Sequence, residues 1–325
     1  MGLLVKGQWR DKWYDTGESG EFIREGSQFR AAVGDAAHPP AAERYHLYVS
    51  LACPWAHRAL IFRELKQLDD LIDVSVVSPL MQSKGWTFDR ASGSSGDALY
   101  QLDCHYQLYT KHQPDYSGRV TVPVLWDTRA MGIVNNESAD IIRQFNSAFD
   151  DLTGNRDDYY PPELRAEIDA VNERVYAEVN NGVYRAGFAT TQSAYEEAYN
   201  SLFEALDWLE SKLARQRFLA GERITEADWR LFTTLIRFDA VYHGHFKCNR
   251  QRLEDFPALS AYTRELYQWP NVEKTVNFKH IKTHYYASHD TINPTAIVPC
   301  GPEIDYHRPH HRSELSGFDA SGKRL

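Results

Sequence analysis

The stretch "HLYVSLACPWAHRALIF", residues 46–62, sets a cysteine and a proline between an alternating run and an amphipathic one. A cysteine at the start of a helix faces backbone N–H groups that have no intrahelical partner, and the positive end of the helix dipole. Both favour thiolate over thiol, and such sites lower a cysteine pKa from about 8.5 into a range of roughly 3.5–7.5. His57 and Arg58 follow closely and can add positive charge. The place of a second cysteine in a CxxC pair is taken by Ala56. A mixed disulfide formed at Cys53 would therefore persist until an external thiol arrived, which is monothiol chemistry with a small thiol. The competing reading is a buried, inert cysteine, and the junction disfavours it.

Two further stretches bear on the same chemistry. In Thr121-Val122-Pro123 a proline interrupts a strand-like run, removing a ladder donor. A cis bond there would turn the Val122 backbone outward and free its N–H and C=O for a peptide-like ligand; an edge-strand proline is the plainer alternative. In "NNESADII", Glu137 and Ser138 stand where a helix begins, so N–H groups and the Ser138 hydroxyl could receive a carboxylate and Glu137 an ammonium group. A capped helix would explain this stretch equally well. Together the three fit one ligand with a sulfur, a backbone-pairing middle and an α-amino acid end.

The elements that must carry these residues follow from periodicity. "RYHLYVSL" alternates as a strand, "PWAHRALIFRELKQL" carries a helical stripe with Pro54 early, and "LIDVSVVSPL" reads as a second strand. This β-α-β unit implies a parallel pair with a right-handed crossover. Residues 79–118, with "SGSSGD" and a Tyr-rich stretch, read as an insertion. "RVTVPVLWD" and "MGIVNN" then predict antiparallel strands, and "ESADIIRQFNSAF" a helix. The order β-α-β, β-β-α is that of a thioredoxin-like domain. From about 160 the period is helical: Leu164, Ile168, Val171, Val175 and Val179 recur at steps of three or four, as do Leu202, Leu206, Leu209 and Leu213. Thr225 and Asp228 form a capping-box pair ahead of another apolar run. The expected organisation is an irregular extension over 1–43 that packs on a domain, a thioredoxin-like domain over 44–152, an all-α domain over 160–286, and an irregular tail over 287–325.

A net charge of -9 argues against nucleic acid or an anionic membrane as the main partner. No apolar run reaches a membrane span, and the polar start does not read as a secretory signal. Four scattered cysteines without a CxxC suit a reducing compartment, so a soluble cytoplasmic protein is expected. His243, His245 and Cys248 in "HGHFKC" have metal-like spacing, but no second cluster completes a site, and no metal is expected.

From about residue 45 to 295 the chain resembles the glutathione transferase superfamily, and most of all its xi class, the glutathionyl-hydroquinone reductases, which are related to omega-class transferases. The stretches that carry this are "RYHLYVSLACPWAHR", "GWTFD", "YSGRVTVPVLWD", "NESADIIR", "NNGVYRAGFA", "RFDAVYHGHFKC" and "VNFKHIKTHYYASH". The resemblance implies a thioredoxin-like glutathione-binding domain followed by an all-helical C-terminal domain. It makes Cys53 the nucleophile and assigns glutathione binding to Trp86, Arg119, Val120, Thr121, Val122, Glu137 and Ser138. It makes Tyr184 the proton donor, with Tyr242 and Tyr285 hydrogen-bonding the cysteine sulfur. The implied reaction reduces glutathionyl-hydroquinones with glutathione as co-substrate, through a Cys53–glutathione disulfide. A homodimer is implied as well. A thiol transferase or dehalogenase sharing the first half-reaction, and a ligand-binding scaffold on the same fold, are the alternatives.

Overall fold

The computed structural model describes residues 2–14 and 16–325. It divides into two compact units, each built from separated stretches. The first takes the chain up to Tyr14, then Arg24–Asn155 and Thr275–Val298; the second takes the stretch ending at Ile23, Arg156–Lys274 and Pro299–Leu325.

The first unit begins with a hairpin, β1 (Leu3–Val5) and β2 (Gln8–Arg10), which the irregular reading of residues 1–43 did not contain. Next come β3 (Tyr45–Val49), α1 (Pro54–Leu65) and β4 (Ile72–Val76), followed by α2 (Tyr106–His112) inside the insertion. Then β5 (Gly118–Arg119), β6 (Val124–Asp127), β7 (Gly132–Asn135), α3 (Ser138–Ser147) and the single turn α4 (Asp150–Thr153) complete the sequence. The main sheet runs β4-β3-β6-β7, with β3 and β4 parallel and the other two pairings antiparallel. This is the thioredoxin-like order. A second sheet, β2-β1-β5, joins the N-terminal hairpin to the strand ahead of Pro123.

Every residue of β3 is buried, so the strand is covered on both faces rather than one. The insertion supplies part of that cover: Tyr48 donates to Asp97 at 2.9 Å and packs against the rings of Phe88 and His105. At the end of β6, Asp127 ties down the extension, accepting from Arg44, from His38 and from the Arg129 and Ala130 N–H groups. Burial alone would raise its pKa, but the Arg44 guanidinium and these other donors outweigh that and hold it at about 2.

The second unit is helical: α5 (Arg165–Val175), α6 (Gly182–Gly187), α7 (Gln192–Leu213), α8 (Glu226–Arg237) and α9 (Pro257–Tyr267). The apolar steps read in the sequence are its core, with Ile168, Val175, Val179, Leu202, Leu206, Leu209 and Leu213 all buried. At the start of α8 the Asp228 carboxylate accepts from Thr225 N–H and hydroxyl, Leu219 N–H and Tyr262 hydroxyl. The C-terminal tail belongs to this unit and works as a cap. Arg312 is buried and donates to the carbonyls of Leu213, the last residue of α7, and of Gln216 and Arg217 in the turn beyond it, and to Glu265 of α9. The Leu213 carbonyl is one that a helix C-terminus leaves unpaired.

The last helix, α10 (Phe278–Ser288), packs in the first unit, whereas the helical period had grouped it with the all-α domain. Polar ties hold it there: His284 bonds the Pro79 carbonyl at 3.0 Å, Ser288 accepts from Met81 N–H, and Thr275, three residues ahead of the helix, bonds the His57 ring. Among the described residues no helix is long and apolar enough to cross a membrane.

Candidate active site

Cys53 is the N-cap residue of α1, extended at φ -75° and ψ 122°, with Pro54 opening the helix. Its backbone is fixed on both sides, Cys53 N–H donating to Ser50 O and Cys53 O accepting from His57 N–H. The side chain is part-exposed, and Sγ lies 3.6 Å from the Val122 carbonyl oxygen. The Val122–Pro123 bond is cis, as the interrupted strand suggested. A thiol can donate weakly to that carbonyl; a thiolate cannot.

The two candidate cations near Cys53 have other duties as well. His57 is fully buried on Thr275. Arg58 is buried with its guanidinium over the Trp55 ring at 4.6 Å and 3.4 Å from the Ser138 hydroxyl. Arg24, from the N-terminal extension, lies over the same indole at 4.9 Å.

Glu137 is the N-cap of α3 and accepts from the Ala139 N–H at 3.1 Å and from the Ser27 hydroxyl at 3.0 Å. One helix-start donor thus goes to the protein's own carboxylate, while Ser138, nearly buried, faces Arg58. Trp86 is buried and stacks on His284 of α10 with ring centres 4.7 Å apart. Tyr285, next on α10, is buried edge-on to His289.

Arg119, which the resemblance places among the glutathione contacts, has its side chain engaged within the protein. The guanidinium is turned into the N-terminal segment, donating to Lys12 O at 2.7 Å, Trp13 O at 3.1 Å and Glu25 at 3.0 Å. It also lies 4.3 Å over the Tyr14 ring. Tyr14 is buried, which raises its phenol pKa. Through Arg24 over Trp55 the extension reaches the first turn of α1, which Cys53 caps.

Two buried side chains of the insertion, absent from the sequence reading, hold the backbone ahead of Val122. His105 Nε2 and the Tyr109 hydroxyl both donate to the Thr121 carbonyl, at 3.0 and 2.9 Å. Burial pushes the His105 pKa down to about 4, so the ring is neutral with its proton on Nε2, where the carbonyl requires a donor. Nothing in the Tyr-rich stretch distinguished Tyr109 from its neighbours.

In the second unit Tyr184 and Tyr242 are neighbours, ring centres 6.2 Å apart, in a cluster with Phe22, Phe188 and Phe246. Tyr242 is fully buried and Tyr184 part-exposed. Tyr242 ends a π-helical turn, Phe238–Tyr242, and another, Tyr176–Asn180, precedes Tyr184. Such turns insert a residue into a helix, re-aim the side chains beyond it and recur at functional sites. Helical periodicity in the sequence does not reveal them. Cys248 is buried beside the Phe246 carbonyl, and burial pushes its thiol pKa up. Among the described residues no cluster of three or more His, Cys, Asp or Glu could hold a metal ion.

Comparison with known proteins fits this geometry. Residues 52–148 match the glutathione S-transferase N-terminal domain, and 192–265 the glutathione S-transferase C-terminal domain. The chain is 54% identical over 328 residues to glutathionyl-hydroquinone reductase YqjG of Escherichia coli, covering 98% of this chain and all of that one. It is also 54% identical to glutathionyl-hydroquinone reductase PcpF of Sphingobium chlorophenolicum, covering 93% and 96%. The glutathione-bound structure of YqjG superposes with a TM-score of 0.87 at 51% identity, covering 95% and 98% of the two chains. A Xi-class transferase from Natrialba magadii superposes with a TM-score of 0.91 at 47% identity, covering 98% of each. The chain belongs to the glutathione S-transferase family, in the Xi group of the glutathionyl-hydroquinone reductases.

Proposed function

We propose that the protein reduces S-glutathionyl-hydroquinones to hydroquinones at the expense of glutathione. The observation that carries this is Cys53 itself, a part-exposed thiol at a helix N-terminus beside the Val122 carbonyl, with Ala56 where a resolving cysteine would stand. The names of the full-length relatives support it.

In the first half-reaction Tyr184 protonates the ring carbon that carries sulfur, which turns an aryl carbon into a feasible leaving group. The Cys53 thiolate attacks the glutathione sulfur; the carbon–sulfur bond breaks with its electron pair on carbon, and the hydroquinone departs. Cys53 is left as a disulfide with glutathione. In the second half-reaction a glutathione thiolate attacks that disulfide, releasing glutathione disulfide and restoring the Cys53 thiolate; the proton from this glutathione replaces the one given to the ring. One glutathionyl-hydroquinone and one glutathione thus give one hydroquinone and one glutathione disulfide.

In this reading glutathione is held by Trp86, at Val120, Thr121 and Val122, where the Val122 backbone pairs with it, and at Glu137 and Ser138. Arg119 contributes by fixing the N-terminal segment around the thiol. Tyr242 and Tyr285 donate to the sulfur and favour its charged form. A cytoplasmic homodimer is part of the same reading, and light scattering on the purified protein checks the dimer. The activity is tested by incubating the protein with a glutathionyl-hydroquinone and glutathione. Stoichiometric hydroquinone and glutathione disulfide are expected. Disulfide-exchange activity without hydroquinone release would favour a thiol transferase, and inactivity in both assays a binding scaffold.

A further inference from the structure

We propose that Tyr109, in the insertion between the two halves of the thioredoxin-like fold, is a positioning residue that sets the spacing of the glutathione site. This rests on the reading above, in which glutathione pairs with the backbone at Val122 and meets Glu137 at its amino-acid end.

Residues 120–123 lie between β5 and β6, outside both strand ladders, so something other than a sheet must place them. The Tyr109 phenol does this. It donates to the Thr121 carbonyl at 2.9 Å and accepts from the Thr121 N–H at 3.2 Å, holding both backbone polar groups of that residue. Its second acceptor position takes the Asn136 side-chain amide at 3.3 Å. One donor and two acceptors are all a phenol offers, and all three are engaged, with the Thr121 hydroxyl a further neighbour at 3.3 Å. The other end of Asn136 is fixed too, its side-chain oxygen accepting from Phe29 N–H at 3.1 Å.

The two residues that Tyr109 joins each immediately precede a proposed glutathione contact. Thr121 precedes Val122, and Asn136 precedes Glu137. The phenol is therefore a cross-brace between the backbone-pairing edge and the helix start that receives the amino-acid end. Tyr109 is fully buried, so it acts through these segments rather than by touching ligand. His105 shares the Thr121 carbonyl, so removing the phenol oxygen frees the Thr121 N–H and the Asn136 amide while that carbonyl keeps a donor.

The test measures glutathione affinity without turnover, by isothermal titration into the full-length Cys53→Ser protein, which cannot form the disulfide. Adding Tyr109→Phe, which keeps the ring, should weaken binding about tenfold, the scale of one or two lost hydrogen bonds. Alkylation of Cys53 by iodoacetamide in the single Tyr109→Phe protein should keep its wild-type rate, because α1 is untouched. Asn136→Ala cuts the brace from its other end and should weaken binding similarly, with the Tyr109→Phe/Asn136→Ala pair no worse than the weaker single variant; it serves should Tyr109→Phe not fold. Unchanged affinity with a lowered melting temperature would make Tyr109 merely structural and overturn the proposal, as would additive losses in the pair. Absence of binding in the Cys53→Ser parent would instead overturn the glutathione reading, and this proposal with it.

Discussion

Replacing Arg119 by methionine separates two roles that its place in "RVTV" leaves entangled. The guanidinium holds Lys12 O, Trp13 O and Glu25, and covers the Tyr14 ring. The Glu25 pair is about half-exposed on its acidic side and contributes little, about 0–1 kcal/mol. Each backbone carbonyl that loses a charged donor costs about 1–2 kcal/mol if it remains away from water. The cation–π contact adds about 0.5–1 kcal/mol. Allowing for non-additivity, the segment from Lys12 to Glu25 should lose about 3 kcal/mol of its closing free energy. At about 1.4 kcal/mol per factor of ten, that is on the order of a hundredfold faster amide exchange there. Hydrogen exchange read by mass spectrometry on peptides covering this segment is the assay, with peptides of β3 and β6 as unaffected internal controls. Exchange at the wild-type rate, together with a large loss of glutathione affinity, would refute the clamp and return Arg119 to direct ligand binding.

Tyr184→Phe should slow hydroquinone release in pre-steady-state measurements while leaving the attack of glutathione on Cys53–glutathione unchanged; slowing of both steps alike would remove its role as the acid. Arg312→Ala takes the donor from the Leu213, Gln216 and Arg217 carbonyls and one of two cations from the buried Glu265, which keeps Arg217, and should cost about 2–4 kcal/mol in denaturant unfolding; a loss under about 1 kcal/mol would show the tail to be dispensable. The Asp127 pKa is held near 2, below the ordinary 3.8, so the native state binds its proton later than the unfolded chain. Its contribution should be complete above about pH 4 and fade as pH drops towards about 2; Asp127→Asn should be less stable at neutral pH and show a flatter acid limb, and an unaltered acid limb would contradict this.

The β-α-β and β-β-α order was legible because each strand and helix declares its own period, and the cysteine junction because Cys53, Pro54 and the helix behind them are contiguous. What escaped depends on partners distant in sequence. Arg119 finds Trp13 across 106 residues, and Arg312 finds Leu213 across 99. Neither residue carries a local mark of its duty. The N-terminal hairpin was hidden because its strands are three residues long and one of them pairs with a two-residue strand far downstream. Helix α10 reads like any other amphipathic helix, and only its ties to Pro79 and Met81, with that of Thr275 ahead of it to His57, decide its unit. Tyr109 was hidden by its own surroundings, one tyrosine among several, since burial and a bifurcated partner set are properties of the fold alone.

The central claim is that Cys53 carries the glutathionyl group alone between two half-reactions. Intact-protein mass spectrometry after mixing with glutathionyl-hydroquinone, without free glutathione, tests it most directly. The account predicts one glutathionyl group per chain, mapped to Cys53, lost on adding glutathione and absent in Cys53→Ser protein that retains its fold and releases no hydroquinone. A glutathionyl group on Cys104, Cys248 or Cys300, an internal disulfide, or hydroquinone release by the Cys53→Ser protein would contradict it.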